Sequence, residues 1–214
     1  MLDTSPRVIL VQNVGLFSVG DSLKASKIAG DLTETNARVI SSVEETTKYK
    51  FIPEKDLFDV EYWSLEQAKI KKAKKILQGN IVVITGGFGA IGSATYKLFK
   101  SYGAEIVLLD YDSKKVKEMQ SKIKDLCLHC DVRNKNSVKN AFKKICEQYG
   151  GIDILISNAG TAVGGSIAEV DDNVLRESFE DNFFSHQNCA SETIKICLLY
   201  TSPSPRDLST SRMP

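Results

Sequence analysis

The stretch VVITGGFGAIGSATYKLF, residues 82–99, decides the fold of the chain around it. A short apolar run is followed by a cluster of glycines and then by a segment with helical periodicity. Gly87, Gly89 and Gly92 stand in G-x-G-x-x-G register directly after the apolar run. Glycines let the backbone turn sharply and approach a phosphate, and the next helix offers free N–H groups. The stretch predicts a nucleotide-binding turn. A glycine turn that serves packing alone is the alternative.

Strands and helices alternate through the rest of the chain. The predicted strands are IVVIT, EIVLLD, LCLHCD and DILIS, with helical segments between them and a long helical segment over residues 171–196. Alternation of this kind is typical of βαβ units, which build a parallel sheet with helices on both faces. The predicted fold class is α/β. We expect a doubly wound, Rossmann-type parallel sheet that stops after its fourth strand and the following helix.

The second predicted strand ends at Asp110, and Tyr111 follows it. An acidic residue at this place can accept hydrogen bonds from the hydroxyls of an adenosine ribose, and it repels a 2′-phosphate. The pattern therefore favours NAD over NADP. The alternative for Asp110 is a simple N-cap of the helix that begins with SKKVKEM.

Residues 1–50 form a separate zone. RVILVQ predicts a buried strand, NVGLFSVGDS a glycine-containing turn region, and the residues from 21 onward a long helix capped by Asp21 or Ser22. These elements do not enclose a core, so we expect the end of a larger domain. Residues 51–78 are predicted to be a linker in which Pro53 ends the preceding helix. Ser64 and Gln67 have capping-box spacing there, and the basic run of residues 69–75 is the solvated face of a helix.

Composition excludes several classes of function. The chain has 28 basic and 27 acidic residues, so net charge gives no reason to expect nucleic acid or a membrane as partner. No signal peptide and no membrane-spanning run is visible. The 5 cysteines are irregularly spaced, which favours a reducing cytoplasm. Cys127, His129 and Cys130 supply too few ligands for zinc, so no metal is expected.

Four short motifs together resemble the short-chain dehydrogenase/reductase family: TGGFGAIG, CDV at residues 130–132, SNAG at residues 157–160 and DN at residues 181–182. Ala90 stands where the commonest form of the family's loop has glycine. The resemblance implies that Asn182 supports a proton-relay water in catalysis. The cofactor-binding residues that it implies, together with the glycine turn and the strand end, are Thr85, Gly86, Gly87, Phe88, Gly89, Ala90, Ile91, Gly92, Asp110, Tyr111, Asp131, Val132, Asn158, Ala159 and Gly160.

The flanking segments PRVILVQNVGLFSVGDS and DLFDVEYWSLEQAK resemble the middle of two-domain sugar-catabolic proteins of the rhamnulose-1-phosphate aldolase/alcohol dehydrogenase type. The resemblance implies that residues 1–50 end a class II aldolase-like domain. It implies that residues 79–196 are an NAD-binding domain of a homo-oligomeric parent acting on a small aldehyde or alcohol such as lactaldehyde. The zinc-binding histidines of such aldolases lie upstream, so lyase activity in a preceding half is an alternative function.

Hydride transfer to a carbonyl requires a proton, which this family supplies from a Tyr-x-x-x-Lys motif. The resemblance places that motif after the helix that carries Asn182. Residues 197–214, CLLYTSPSPRDLSTSRMP, do not contain it. Tyr96 and Lys100 have the spacing but lie in the first helix after the glycine turn. We expect an inactive fragment with a non-native, disordered tail. A natural flexible tail and a non-catalytic nucleotide-binding module are the alternatives.

Overall fold

The computed structural model of the protein describes residues 6–61, 63, 75–162, 164–166 and 168–200. Contacts divide the chain into two compact units, Met1–Gly79 and Asn80–Pro214. No helix in the described ranges combines the length and apolarity that crossing a bilayer requires.

The described residues of the first unit form a β-hairpin and two helices. Strands β1 (Val8–Val11) and β2 (Gly15–Ser18) pair antiparallel. Helix α1 (Leu23–Glu44) follows, and its N-cap is Ser22, whose hydroxyl accepts a hydrogen bond from the amide of Ala25 at 3.1 Å. Of the two predicted caps, the structure selects Ser22. Helix α2 spans Glu54–Glu61.

Three sequence predictions about this unit are wrong. The segment predicted as a turn region contains β2, and the strand predicted to be buried is largely exposed, with Leu10 73% accessible. A two-stranded hairpin has too few neighbouring elements to bury either face of its strands, which explains the exposure. Pro53 does not end the preceding helix, because α1 already ends at Glu44. Pro53 lies directly before α2 instead, and its carbonyl accepts hydrogen bonds from the amides of Asp56 and Leu57. Ser64, Gln67 and residues 69–74 of the basic run lie outside the described residues.

The second unit is a four-stranded parallel sheet in the order β5–β4–β3–β6, formed by β3 (Ile81–Thr85), β4 (Glu105–Asp110), β5 (Leu126–His129) and β6 (Ile154–Ile156). The intervening helices are α3 (Ala90–Ser101), α4 (Ser113–Lys122) and α5 (Lys135–Tyr149). The predicted α/β class, with its parallel sheet and alternating elements, is confirmed.

The sheet is covered on both faces. Residues 106–109 of β4 are all buried, although successive side chains of a strand point to opposite faces. Phe142 and Ile145 of α5 pack with Val83 and Val107 in the main apolar cluster. Central strands buried on both sides read as continuous apolar runs. This is why IVVIT and EIVLLD were recognisable from sequence.

The last predicted helix is interrupted by a π-turn. Helix α6 (Asp172–Phe179) leads into a π segment, Glu180–Phe184, and then into α7 (Ser185–Tyr200). The backbone amide of Ser185 donates to the carbonyl of Glu180, five residues earlier. The helix also continues past residue 196, where the sequence predicted its end. The tail from residue 201 onward lies outside the described residues.

Candidate cofactor-binding site

The carboxyl ends of the parallel strands meet at one edge of the sheet, and a cavity of about 540 Å³ lies there. Ligands of open α/β sheets bind at this edge. The predicted cofactor residues that line the cavity are Gly86, Gly89, Ala90, Ile91, Asp110, Tyr111, Asp131, Val132, Asn158, Ala159 and Gly160. The sequence motifs thus converge in space, although they are spread over the ends of all four strands.

The glycines of the turn have two different roles, lining the cavity and close packing. Gly86 has φ +61°, a backbone conformation that disfavours other residues, and it lines the cavity. Gly87 and Gly92 are absent from the cavity lining. A Cβ on Gly87 would lie 2.8 Å from Cδ2 of Leu108, and a Cβ on Gly92 would lie 2.2 Å from the carbonyl oxygen of Gly86. Gly87 packs the turn against β4, and Gly92 packs the start of α3 against the turn itself, as the alternative interpretation proposed for the motif as a whole.

The N-terminus of α3 opens onto the same cavity. Gly89 is the N-cap and provides no side-chain hydrogen bond to the helix. The first backbone N–H groups of an α-helix have no partner inside the helix. Gly89, Ala90 and Ile91 line the cavity, and the amide of Gly89 donates to the carbonyl of Gly86 at 3.1 Å. The backbone of Ala90 and Ile91 is placed where an anionic phosphate would accept hydrogen bonds and meet the positive end of the helix dipole.

Asp110 is held in a fixed orientation at the end of β4. Its carboxylate accepts the backbone amides of Phe88 and Asp112, each at 3.1 Å, and the residue is 8% exposed. The cap of α4 is Asp112, whose side chain accepts from the amides of Lys114 and Lys115. The alternative interpretation of Asp110 as that cap is therefore wrong. Each carboxylate oxygen keeps a further lone pair for an incoming hydroxyl.

Thr85 shapes the site without lining it. Its fully buried hydroxyl oxygen accepts hydrogen bonds from the backbone amides of Asn158 and Ala159, each at 2.9 Å. The side-chain amide of Asn158 in turn donates to the carbonyl oxygen of Thr85 at 3.0 Å. The loop after β6 is thereby fastened to the end of β3. Phe88 likewise stays off the cavity lining, and its backbone amide orients Asp110.

Asn182 lies in the π-turn, outside the cavity lining. Its Nδ2 donates to the carbonyl of Thr161 at 2.8 Å and to that of Ser178 at 3.0 Å, and its Oδ1 accepts the amide of Thr161 at 3.1 Å. The side chain therefore ties the loop after β6 to the helix. Support of a relay water by Asn182 stays a prediction.

Four lining residues were missed by sequence reasoning: Lys115, Arg133, Thr161 and Asp181. Each lies within a few residues of a predicted one, so extending every motif by one helical turn would have found them. Arg133 and Asp181 place a cation and an anion on the same part of the wall. Lys115 lies in the first turn of α4, the helix that follows Asp110 in the sequence.

The pair Tyr96 and Lys100 is not a proton relay. The hydroxyl of Tyr96 donates to Asp125 Oδ2 at 2.9 Å, and Lys100 pairs with the other oxygen of that carboxylate. Burial and the bond to Asp125 raise the pKa of Tyr96 to about 12. A catalytic tyrosine needs the opposite shift. Tyr111 and Lys115 have the same Tyr-x-x-x-Lys spacing. They follow β4, whereas Asn158 follows β6, and β3 lies between these two strands in the sheet.

The remaining nucleophilic and metal-binding candidates have other contacts. His186 Nδ1 lies 2.6 Å from the hydroxyl of Ser157, a pairing that the sequence did not indicate. Cys189 is fully buried, and burial raises its pKa to about 12, which makes the thiol unreactive. Within the described ranges, no group of three or more His, Cys, Asp and Glu side chains is arranged to hold a metal ion.

Comparison with known proteins gives two family matches. Residues 80–201 match the short chain dehydrogenase family, and residues 1–70 match the second domain of class II aldolases. An uncharacterized oxidoreductase of Bacillus subtilis, YuxG, is 29% identical over 79% of this chain and 26% of its own length. Short chain aldehyde dehydrogenase 1 of Euphorbia lathyris is 33% identical over 60% of this chain and 49% of its own length.

Among solved structures, the aldohexose dehydrogenase of Thermoplasma acidophilum, AldT, superposes with a TM-score of 0.51 at 25% identity. The match covers 58% of this chain and 46% of that one. The chain thus spans less than half the length of each of these three proteins.

Proposed function

The chain belongs to the short-chain dehydrogenase family, and from this premise we propose that it is the NAD-binding part of an oxidoreductase that interconverts a small aldehyde and its alcohol. The observation that carries the proposal is the cavity at the carboxyl edge of the sheet. It combines an uncapped helix N-terminus with an oriented carboxylate, Asp110, at the end of the neighbouring strand.

The cavity fits a dinucleotide in two respects. Backbone N–H groups at the start of α3 suit a pyrophosphate, which needs hydrogen-bond donors and a positive potential. Asp110 accepts from ribose hydroxyls and repels a 2′-phosphate, which supports NAD over NADP. When bound, the nicotinamide carries the hydride. The chain itself orients the cofactor through the glycine turn, Asp110 and the loop of Asn158 to Gly160.

The chain as it stands is proposed not to turn over. Proton transfer in this family uses Tyr-x-x-x-Lys after the helix that bears Asn182, and the tyrosine that follows Asn182 here, Tyr200, has Ser204 at the lysine position. Tyr96 is unsuited, since its phenol is held protonated by burial and by Asp125. The second candidate function is a nucleotide-binding module without catalysis, which the cavity at the carboxyl edge of the sheet would equally serve.

A small aldehyde as substrate has two supports. The Euphorbia lathyris relative is an aldehyde dehydrogenase by name, and the Thermoplasma acidophilum structure is that of an aldohexose dehydrogenase. In addition, residues 1–70 match an aldolase domain, and an aldolase releases an aldehyde. We propose lactaldehyde or a similar short hydroxyaldehyde, acted on in sugar catabolism by a homo-oligomeric cytoplasmic parent protein.

Cofactor binding tests the proposal directly. NADH and NADPH are titrated into the chain and followed by fluorescence enhancement. We expect NADH to bind at least roughly tenfold more tightly than NADPH, as a carboxylate facing a 2′-phosphate requires. Asp110→Ser should reduce that ratio, while Asp112→Ser, which is not in the lining and keeps a side chain that can cap α4, should leave it unchanged. Failure to bind NADH, or equal affinity for NADPH, would overturn the proposal.

Turnover separates the two candidate functions. Lactaldehyde reduction with NADH is measured on the same sample that binds NADH. Binding without turnover is expected for this chain. Joining the chain to a family segment that carries Tyr-x-x-x-Lys should restore activity if the chain belongs to an oxidoreductase. A fused protein that binds NADH but stays inactive would favour the binding module.

A further inference from the structure

Arg133 forms an unusual contact set on the cavity wall. Its Nε lies 3.2 Å from Oδ1 of Asp131, and a second guanidinium nitrogen lies 3.4 Å from Oδ2. The backbone amide of Arg133 also donates to Asp131 Oδ1 at 3.0 Å. Both residues line the cavity. A planar guanidinium that engages both oxygens fixes the plane of a carboxylate, which a lysine cannot do.

The same guanidinium is held from its other side. A third nitrogen lies 3.5 Å from Asp181 Oδ1, in the π-turn. Asp181 is oriented in turn by Thr161, whose hydroxyl donates to Oδ2 at 2.7 Å. Arg133 is therefore fixed between the loop after β5 and the helix that follows β6, and it cannot swing away from Asp131 without losing a second charged contact.

The backbone that carries Arg133 is anchored as well. The buried side chain of Asn188 in α7 donates to the carbonyls of Val132 and Arg133, at 3.1 Å and 3.2 Å. Loop, side chain and helix thus form one connected unit beside the cavity. A pre-organised hydrogen-bonding group binds its ligand with less loss of conformational freedom.

Resting on the proposed cofactor-binding function, we propose that Arg133 is a positioning residue for the adenosine half of the dinucleotide. It acts through Asp131, which it holds in one orientation on the cavity wall. The ligand-facing group is the Asp131 carboxylate, whose side chain is 36% exposed and has lone pairs left for the exocyclic amine of an adenine.

The electrostatics of the wall provide a specific readout. Burial by itself would raise the pKa of Asp131, but the hydrogen bonds from Arg133, with a smaller contribution from His129, outweigh it and lower that pKa. Besides Asp131, the acidic groups that face Arg133 are Asp181 and Glu177. Removal of the guanidinium takes away the hydrogen bonds and the positive charge that lower the pKa of Asp131, so protonation of Asp131 should begin at higher pH.

The experiment uses the full chain and two half-cofactors, AMP and nicotinamide mononucleotide, with calorimetric titration. Arg133→Ala is expected to weaken AMP binding roughly tenfold, the usual scale for losing a charge-assisted pair, and to leave nicotinamide mononucleotide unaffected. Arg133→Lys should fall between wild type and Arg133→Ala. The control is Lys135→Ala, an exposed cation of the same segment that is outside the cavity lining.

A double-mutant cycle identifies the route of action. In the Asp131→Ala background, Arg133→Ala should cause little further loss of AMP affinity. The acid limb of AMP binding should also move to higher pH in Arg133→Ala, which a purely structural role would not cause. Equal losses in both backgrounds, or wild-type affinity in Arg133→Ala, would overturn the proposal.

The outcomes also distinguish this proposal from the proposed function. If the wild-type chain binds neither AMP nor NADH, the cofactor-binding function fails and the role of Arg133 fails with it. If wild type binds both and Arg133→Ala binds AMP equally well, only the role of Arg133 fails. Thermal unfolding of each variant, followed by circular dichroism, shows whether it is folded, and Arg133→Lys serves if Arg133→Ala is not.

Discussion

The two units of the chain bury their apolar side chains to very different degrees. In the second unit, Val83 and Val107 are fully inaccessible on neighbouring strands. In the first unit, Leu10 of β1 is 73% exposed and Leu32 of α1 is 62% exposed. Helix α1 is 22 residues long and has no buried residue. Both units have regular secondary structure, but within the described residues only the second encloses a core.

The difference shows what local pattern can and cannot do. An N-cap and apolar residues at helical intervals are enough to specify α1. A core requires several elements that cover one another, and four parallel strands with crossover helices meet that requirement where a hairpin and α1 do not. Substitutions of the same type should therefore have unequal effects in the two units.

The largest effect is expected from truncating the core of the second unit. Phe142 is 1% exposed, so Phe142→Ala should lower the free energy of unfolding by about 3–5 kcal/mol. Phe17→Ala in β2, where the ring is 52% exposed, should cost less than about 1 kcal/mol. Urea denaturation followed by circular dichroism gives both values. Similar losses in the two variants would show that the first unit packs as tightly as the second.

A methyl group at the glycine turn should come next. Gly92→Ala places a Cβ 2.2 Å from the carbonyl oxygen of Gly86, and we expect a loss of about 2–3 kcal/mol together with loss of NADH binding. Gly151→Ala is the matched control, since nothing lies within 4 Å of its Cβ and its φ is unstrained. Thermal unfolding and NADH titration report the two properties. Unchanged thermal stability in Gly92→Ala would contradict the packing role of this glycine.

Loss of one hydroxyl tests the contrast in polar contacts. Thr85→Val leaves the half-buried amides of Asn158 and Ala159 without their acceptor, and should lower the free energy of unfolding by about 1–2 kcal/mol. Thr35→Val in α1 removes an exposed hydroxyl that bonds only to the carbonyl of Asp31, and should change stability by less than about 0.5 kcal/mol. The measurement is chemical denaturation. A larger loss of stability in Thr35→Val than in Thr85→Val would contradict the expected difference between the two units.

The smallest effect concerns alkaline stability. The pKa of Tyr96 rises from 10.0 to about 12 on folding, so the stability that its neutral hydroxyl contributes is fully present below pH 10.0 and is lost as pH rises towards about 12. Tyr96→Phe should be less stable than wild type by about 1 kcal/mol at neutral pH. The gap should narrow across that window. A difference in stability between wild type and Tyr96→Phe that stays constant over this pH range would contradict the raised pKa of Tyr96.

Much of the second unit could be predicted because its signals are local. The strand IVVIT and the glycines after it predict a strand–turn–helix unit, and the structure has β3 at Ile81–Thr85 and α3 at Ala90–Ser101. The π-turn at Glu180–Phe184 could not be predicted, since helical periodicity runs through it unchanged. Neither could β2, because its four residues, Gly15–Ser18, are too short a run to show an alternation of apolar and polar residues.

In the second unit, the order of strands and helices up to β6 follows from the amino-acid sequence, and so does the choice of candidate site residues, because glycine register, strand-terminal acids and apolar runs are properties of adjacent residues. Which of those residues face the cavity depends on the packing of the strands and loops. Gly92 and Thr85 proved to be packing and anchoring groups, while Arg133 and Asp181 reached the wall from segments 48 residues apart in number. Such placement depends on long-range contacts, which no local pattern encodes.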